Sequence, residues 1–296
     1  MRRILFYTVL GCCLLPLAGR AQQRFCGLQQ FTSPPAEAAV QKRLDSAVAA
    51  ARQRHEADTL DADALIWYGR REAYRGNYNE AVALFTKGIR LHPADARFYR
   101  HRGHRYLTLR CADAAISDFT QAAALTKGRA DEVEPDGIPN SHNQPTSTLQ
   151  GNIYYHLGLA YYLKGDFEAA ASAYHTCLSL STHPDMYVAT ANWYYITLLQ
   201  LQRQQDAAAL LQTVNPKVAL IENEGYLTIL LLYKGLLPPN QLQQELQQSP
   251  GGLASATLLF GLANYYRLNG KPEQAAALFR QIVNGNQWGS FAYMAA

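Results

Sequence analysis

Five cysteines, three methionines and three tryptophans are all that 296 residues carry of those types, and only 17% of the chain is charged. No two cysteines stand at Cys-x-x-Cys spacing, which removes the usual redox and structural zinc sites. The zinc-protease His-Glu-x-x-His, the Gly-x-Ser-x-Gly elbow, the P-loop and the dinucleotide fingerprint are also missing. The expectation is a chain that is not an enzyme and needs no cofactor. A formal charge of +4 is too small for a general nucleic-acid binder, whose affinity comes largely from neutralising phosphates. Long apolar runs are scarce as well: the one from Ile4 to Gly19 is shorter than the roughly 20 residues a spanning helix needs.

Arg2 and Arg3 precede that run, and Gly19-Arg20-Ala21 puts small residues where a signal peptidase reads. The pattern predicts a secretory signal over residues 1–21 and an exported chain of the periplasm or cell envelope, with no stable membrane span after cleavage. Two alternatives stay open. The run could be retained as an anchor, or Val9-Leu10-Gly11-Cys12 could serve as a lipobox that anchors the chain at Cys12, although Leu10 fits poorly there. Cleavage removes three arginines and no acid, so the formal charge falls from +4 to +1. Cys26, Cys111 and Cys177 remain, an odd number that cannot all pair within one chain. Cys177 stands where a small packing residue is needed and is expected to be a buried thiol. Cys26 lies in a polar leader, residues 22–35, and is the one placed to cross-link.

What is present is a step of fixed length. Gly69 and Gly103, Ala81 and Ala115, Phe85 and Phe119, and Leu91 and Leu125 are identical in pairs, and every pair is separated by the same step of about 34 residues. Gly158, Ala170, Tyr174 and Leu180 follow their counterparts by a longer step, again the same for all four. Four positions sharing one offset require an insertion before Gly158, and the polar run 128–147 supplies it. Apolar and small residues within each unit recur at helical spacing on two segments, divided by a turn such as Gly76-Asn77 or Lys164-Gly165-Asp166. Small residues let the two helices approach, and the aromatic ring fills the gap toward the next unit. This pattern resembles the tetratricopeptide repeat (TPR) family. The resemblance implies an all-α fold, a right-handed α-solenoid of helix-turn-helix hairpins, with a long loop inserted between the second and third units.

Along the rest of the chain, Val40, Leu44, Val48 and Ala51 predict an amphipathic helix over residues 36–56 that packs on the first unit. Units one and two occupy residues 57–127 and unit three 148–183. Residues 184–250 predict divergent hairpins without a turn glycine in the fourth, and 251–287 return to the pattern at Ala263, Gly270, Ala275 and Phe279. Residues 288–296 open a closing helix whose apolar end suits docking onto the last unit or onto another subunit. Pro135, Pro139 and Pro145 exclude a regular helix from the insertion. Its acids lack the spacing of a calcium loop, and no metal ligand set is assigned.

In the TPR family ligands usually touch fixed places on the first helix of each unit. Carried onto this chain, the resemblance implies a concave groove with Arg70, Tyr74, Arg97, Arg100, His104, Tyr155 and Tyr162 among its ligand-binding residues. A basic early groove followed by aromatic positions suits a protein or extended peptide with acidic and apolar side chains. The reading is a non-catalytic scaffold or adaptor of the cell envelope. Its alternatives are a self-associating structural component, joined through the C-terminal end, and an enzyme whose site the insertion builds. The family's clamp for chaperone tails uses Lys, Asn and Arg where this sequence has Ile66, Arg70, His101, Asn152 and His156, so that activity is not implied. His101 and His104 are expected at the surface. The insertion's four acids directly follow the basic second unit, which places the loop to fold across Arg97, Arg100 and His104 and compete with a ligand.

Overall fold

The computed structural model describes residues 37–248 and 252–296. The signal, the leader, Cys12 and Cys26 lie outside the described residues. Among those described the chain is all helical, with one isolated antiparallel bridge between Val133 and Thr148. The helices are α1 (Ala38–Ala57), α2 (Ala62–Arg75), α3 (Tyr78–Leu91), α4 (Ala96–Thr108), α5 (Ala112–Thr126), α6 (Leu149–Lys164), α7 (Phe167–Leu180), α8 (Pro184–Gln200), α9 (Gln204–Gln212), α10 (Glu224–Tyr233), α11 (Pro239–Gln248), α12 (Gly252–Leu268), α13 (Pro272–Val283) and α14 (Phe291–Ala295). Through α9 each helix packs on the one before it, and α12 takes up the stack against α10. This is a solenoid of hairpins.

The repeated residues are where two helices would otherwise collide. A Cβ added at Gly69 would lie 2.5 Å from the Phe85 ring, one at Gly103 2.9 Å from Phe119, and one at Gly158 2.5 Å from Tyr174. Glycine on the first helix therefore makes the bed for the ring on the second. The rings then reach the next hairpin: Phe85 stacks on His101 at 5.6 Å and Phe119 on His156 at 5.8 Å between centroids. Phe85, Phe119 and Tyr174 are all buried. Asp61 and Asp95 cap α2 and α4 by accepting from backbone N–H groups of the first turn, which satisfies donors the helix itself cannot.

The turn between paired helices needs one residue with positive φ. Gly76 (94°), Gly165 (78°), Gly235 (76°) and Gly270 (69°) supply it in four units. Arg110 (65°) and Gln202 (57°) supply it in the other two, which is why the fourth hairpin turns without a glycine. Arg110 has a reason to stay, since its Nη2 donates to the Trp288 carbonyl across the molecule. Gln202 is exposed. Gln202→Gly is expected to raise stability by about 0.5–1 kcal/mol by releasing left-handed strain. A urea titration checks this, and a lower midpoint would contradict it.

Two features close the concave side. In the insertion, Glu134 N–H donates to the Ser147 carbonyl at 3.0 Å and Leu149 N–H to the Glu132 carbonyl at 2.8 Å, so the loop leaves and re-enters as a paired neck. The closing helix α14 touches α12 and α13 of the last unit and also α6 of the third. Trp288 meets the Tyr78 ring edge-on at 5.6 Å, so this end of the chain reaches back to the first unit. The apolar residues at 291 and 292 are thereby packed within their own chain.

Candidate functional site

Two adjoining cavities lie on the concave side. The first, of about 250 Å³, is lined by Arg70, Tyr74, Arg100, His101, His104, Arg105 and His156 from the repeats and by residues 134–137 from the insertion. The second, of about 650 Å³, is lined by Tyr155, Met186, Glu222, Tyr226 and Phe291 among others. His104, Ser147 and Asn152 line both, so they form the partition between them.

The insertion fills the basic groove as a bound peptide would. Arg100 Nε lies 2.8 Å from Glu134 Oε2, with both side chains about nine-tenths buried. Neither atom has a well-aligned hydrogen bond, so this contact is Coulombic rather than directional. Arg70 donates to the Pro135 carbonyl and Arg71 to the Gly137 carbonyl, each at 2.7 Å. Gly137 rests on the Tyr74 ring so closely that a Cβ there would overlap the phenol oxygen. The expected fold-over of the loop is thus seen at Arg100, with Arg70 and Tyr74 beside it.

His101 and His156 are buried rather than at the surface, and His104 is half-buried. His101 and His156 are 6% and 5% exposed. Arg100 Nη1 donates to Nδ1 of both His101 and His104 at 3.3 Å, which leaves those nitrogens unprotonated. His156 donates its Nδ1 proton to the Asn152 carbonyl at 2.6 Å. Burial first, and the neighbouring arginines second, hold all three well below the ordinary histidine range. Burial also lowers the Arg105 guanidinium to about 10, so it stays charged at neutral pH. Among the described residues no carboxylate pairs with it; its guanidinium lies 5.7 Å from the Tyr78 ring centre.

The remaining expected site residues fall elsewhere. Arg97 is held by Asp95 and Asp63, at 2.6 Å to each, and lines a separate depression beside α6. Tyr162 packs edge-on against Phe167 and Trp193, away from both cavities. Tyr155 lines the second cavity and approaches the Tyr226 hydroxyl at 3.4 Å. Sequence reasoning missed Arg105, Tyr226 and Phe291. Arg105 lies outside the family's usual contact places, and the last two belong to later parts of the chain, too far from Tyr155 in sequence for any local signal. Among the described residues no group of three His, Cys, Asp or Glu side chains is placed to hold a metal.

A family model for the tetratricopeptide repeat matches residues 151–183, the third hairpin. The constant repeat step and the glycine-on-ring packing extend the same unit to the first and second. The chain is a tetratricopeptide repeat protein. Hsc70-interacting proteins 1 and 2 of Drosophila melanogaster are each 36% identical to it over 75 residues, covering 25% of this chain and 19% of theirs. The chain therefore matches about a fifth of the length of those curated relatives. A chain of the APC/C hetero-tetramer Cut9-Hcn1 superposes with a TM-score of 0.53 at 16% identity, covering 82% of this TPR chain and 43% of that one. YrrB, a TPR protein with an unusual peptide-binding site, gives 0.45 at 14%, covering 80% and 93%. At such identities the likeness concerns the fold alone. TPR chains are generally protein-interaction scaffolds, and this one has that architecture.

Proposed function

We propose that this TPR protein is an exported scaffold that takes an acidic segment of a partner protein into the basic concave groove, at the place its own insertion now holds. The single observation that carries the reading is the seat of Glu134-Pro135-Asp136-Gly137 on Arg70, Arg71, Tyr74 and Arg100. One carboxylate and two main-chain carbonyls meet guanidinium donors there, which are the groups any acidic extended peptide carries.

The neck suggests the test. Residues 134 and 147 face each other, so residues 135–146 can be replaced by Asn-Gly, a pair suited to a two-residue hairpin. With Glu134→Gln added, this variant is expected to bind a synthetic peptide of residues 131–141 at least tenfold tighter than the parent chain does, with affinity falling as salt rises. Equal binding by both chains, or none by either, would sink the reading.

Export is supported by the leader and by chemistry. Cys111 is disulfide-bonded, and disulfides persist in oxidising compartments. Cys177 is a buried thiol, donating toward the Gly151 carbonyl at 3.3 Å and raised to about 11 by burial. No described helix is long and apolar enough to cross a membrane. N-terminal sequencing of the chain from an envelope fraction is expected to begin at Gln22; an intact Met1 on a cytoplasmic chain would refute export.

A further inference from the structure

The cavities behind the insertion have a composition that a covering loop alone does not explain. Three guanidiniums, Arg70, Arg100 and Arg105, line the first, against two carboxylates, Glu134 and Asp136. The three histidines add no charge: His101 and His104 accept from Arg100, and burial holds His156 well below the ordinary histidine range. The lining therefore carries one positive charge in excess: Glu134 pairs with Arg100, and among the described residues neither Arg70 nor Arg105 has a carboxylate within ion-pair distance. Buried charge without a partner is costly, so this end of the cavity favours an anion.

Beyond the partition the character changes. Tyr155, Met186, Tyr226 and Phe291 make an aromatic and apolar wall. At about 650 Å³ the second cavity falls within the range of small-molecule sites. Its one carboxylate, Glu222, accepts from the Thr146 hydroxyl and stands against a second negative charge in the ligand. The insertion lines both chambers, and α14 with the residues just before it lines the second.

We infer that these adjoining cavities bind a small organic monocarboxylate, its carboxylate between Arg100 and Arg105 and its aromatic or branched body against Tyr155, Tyr226 and Phe291. The site is separate in its demands from the peptide seat, since it needs the insertion in place as a roof, whereas the peptide needs it gone.

Calorimetric titration of the full chain with 4-phenylbutyrate, its uncharged amide and phenylsuccinate tests the assignment. The monocarboxylate is expected to bind, with the amide and the dicarboxylate each at least tenfold weaker. Arg105→Gln is expected to weaken the monocarboxylate at least tenfold without changing the amide, and Tyr226→Ala to weaken both. The Asn-Gly loop variant is expected to lose monocarboxylate binding while gaining the loop peptide, so the two readings fail separately. Equal binding of acid and amide to the parent chain, or no heat with either, overturns the inference and requires no variant to fold. Undiminished binding to the loop variant overturns the roofed site even if the peptide result stands.

Discussion

Phe119→Ala is expected to cost about 3–5 kcal/mol, as truncation of fully buried aromatic rings does. The ring is fully buried, fills the bed that Gly103 leaves, and stacks on His156 of the next hairpin. Removing it empties one inter-unit contact without touching the turns or caps. Because each hairpin is stabilised mainly by its neighbours, the loss falls on the junction between units two and three. The expected signature in a chemical denaturation is a lower midpoint, with the early units melting ahead of the rest. A loss below about 1 kcal/mol would show that the ring is not shared between units.

Acid is expected to weaken the fold through His101, His104 and His156. Burial lowers their folded values, while in the unfolded chain they titrate near the usual 6.5. Below that pH the unfolded chain binds more protons than the folded one, so stability is full above about 6.5 and is lost as the pH falls. Each histidine contributes a slope of up to about 1.4 kcal/mol per pH unit, and the three together up to about 4. The groups facing them are Arg70, Arg100 and Arg105, which sharpen the effect, and the carboxylates Glu134 and Asp136. Asp118 and Asp136 oppose it, since burial raises both carboxyls and the folded chain then binds their protons more readily than the unfolded one. Urea midpoints at pH 7.5, 6.5 and 5.5 check this. A flat profile, or one unchanged by replacing all three histidines with Gln, would contradict it.

The hairpins were legible because their physics is local. A ring and the glycine beneath it belong to the two helices of one hairpin, as Phe85 and Gly69 do, and the pair recurs at a constant step. The fourth turn was harder to read, because Gln202 adopts by context the φ that glycine adopts by default. The basic groove was legible as residue types on one helix face, yet Arg97 was misleading, since Asp63 and Asp95 engage it. The burial of His101 and His104 could not be read from their helix. It arises because residues from the insertion and Phe291 from the far end of the chain close over them. Polar residues under a lid look like surface residues until the lid is placed.

Amide hydrogen exchange across residues 129–150 of the full chain tests the central claim most directly. A loop seated in the groove through its paired neck should show the Glu134 and Leu149 amides protected on the order of a hundredfold or more, and Arg70→Ala with Arg100→Ala should release Glu134. Exchange of both amides at the rate of an unstructured chain in the parent protein would mean that the insertion does not occupy the groove.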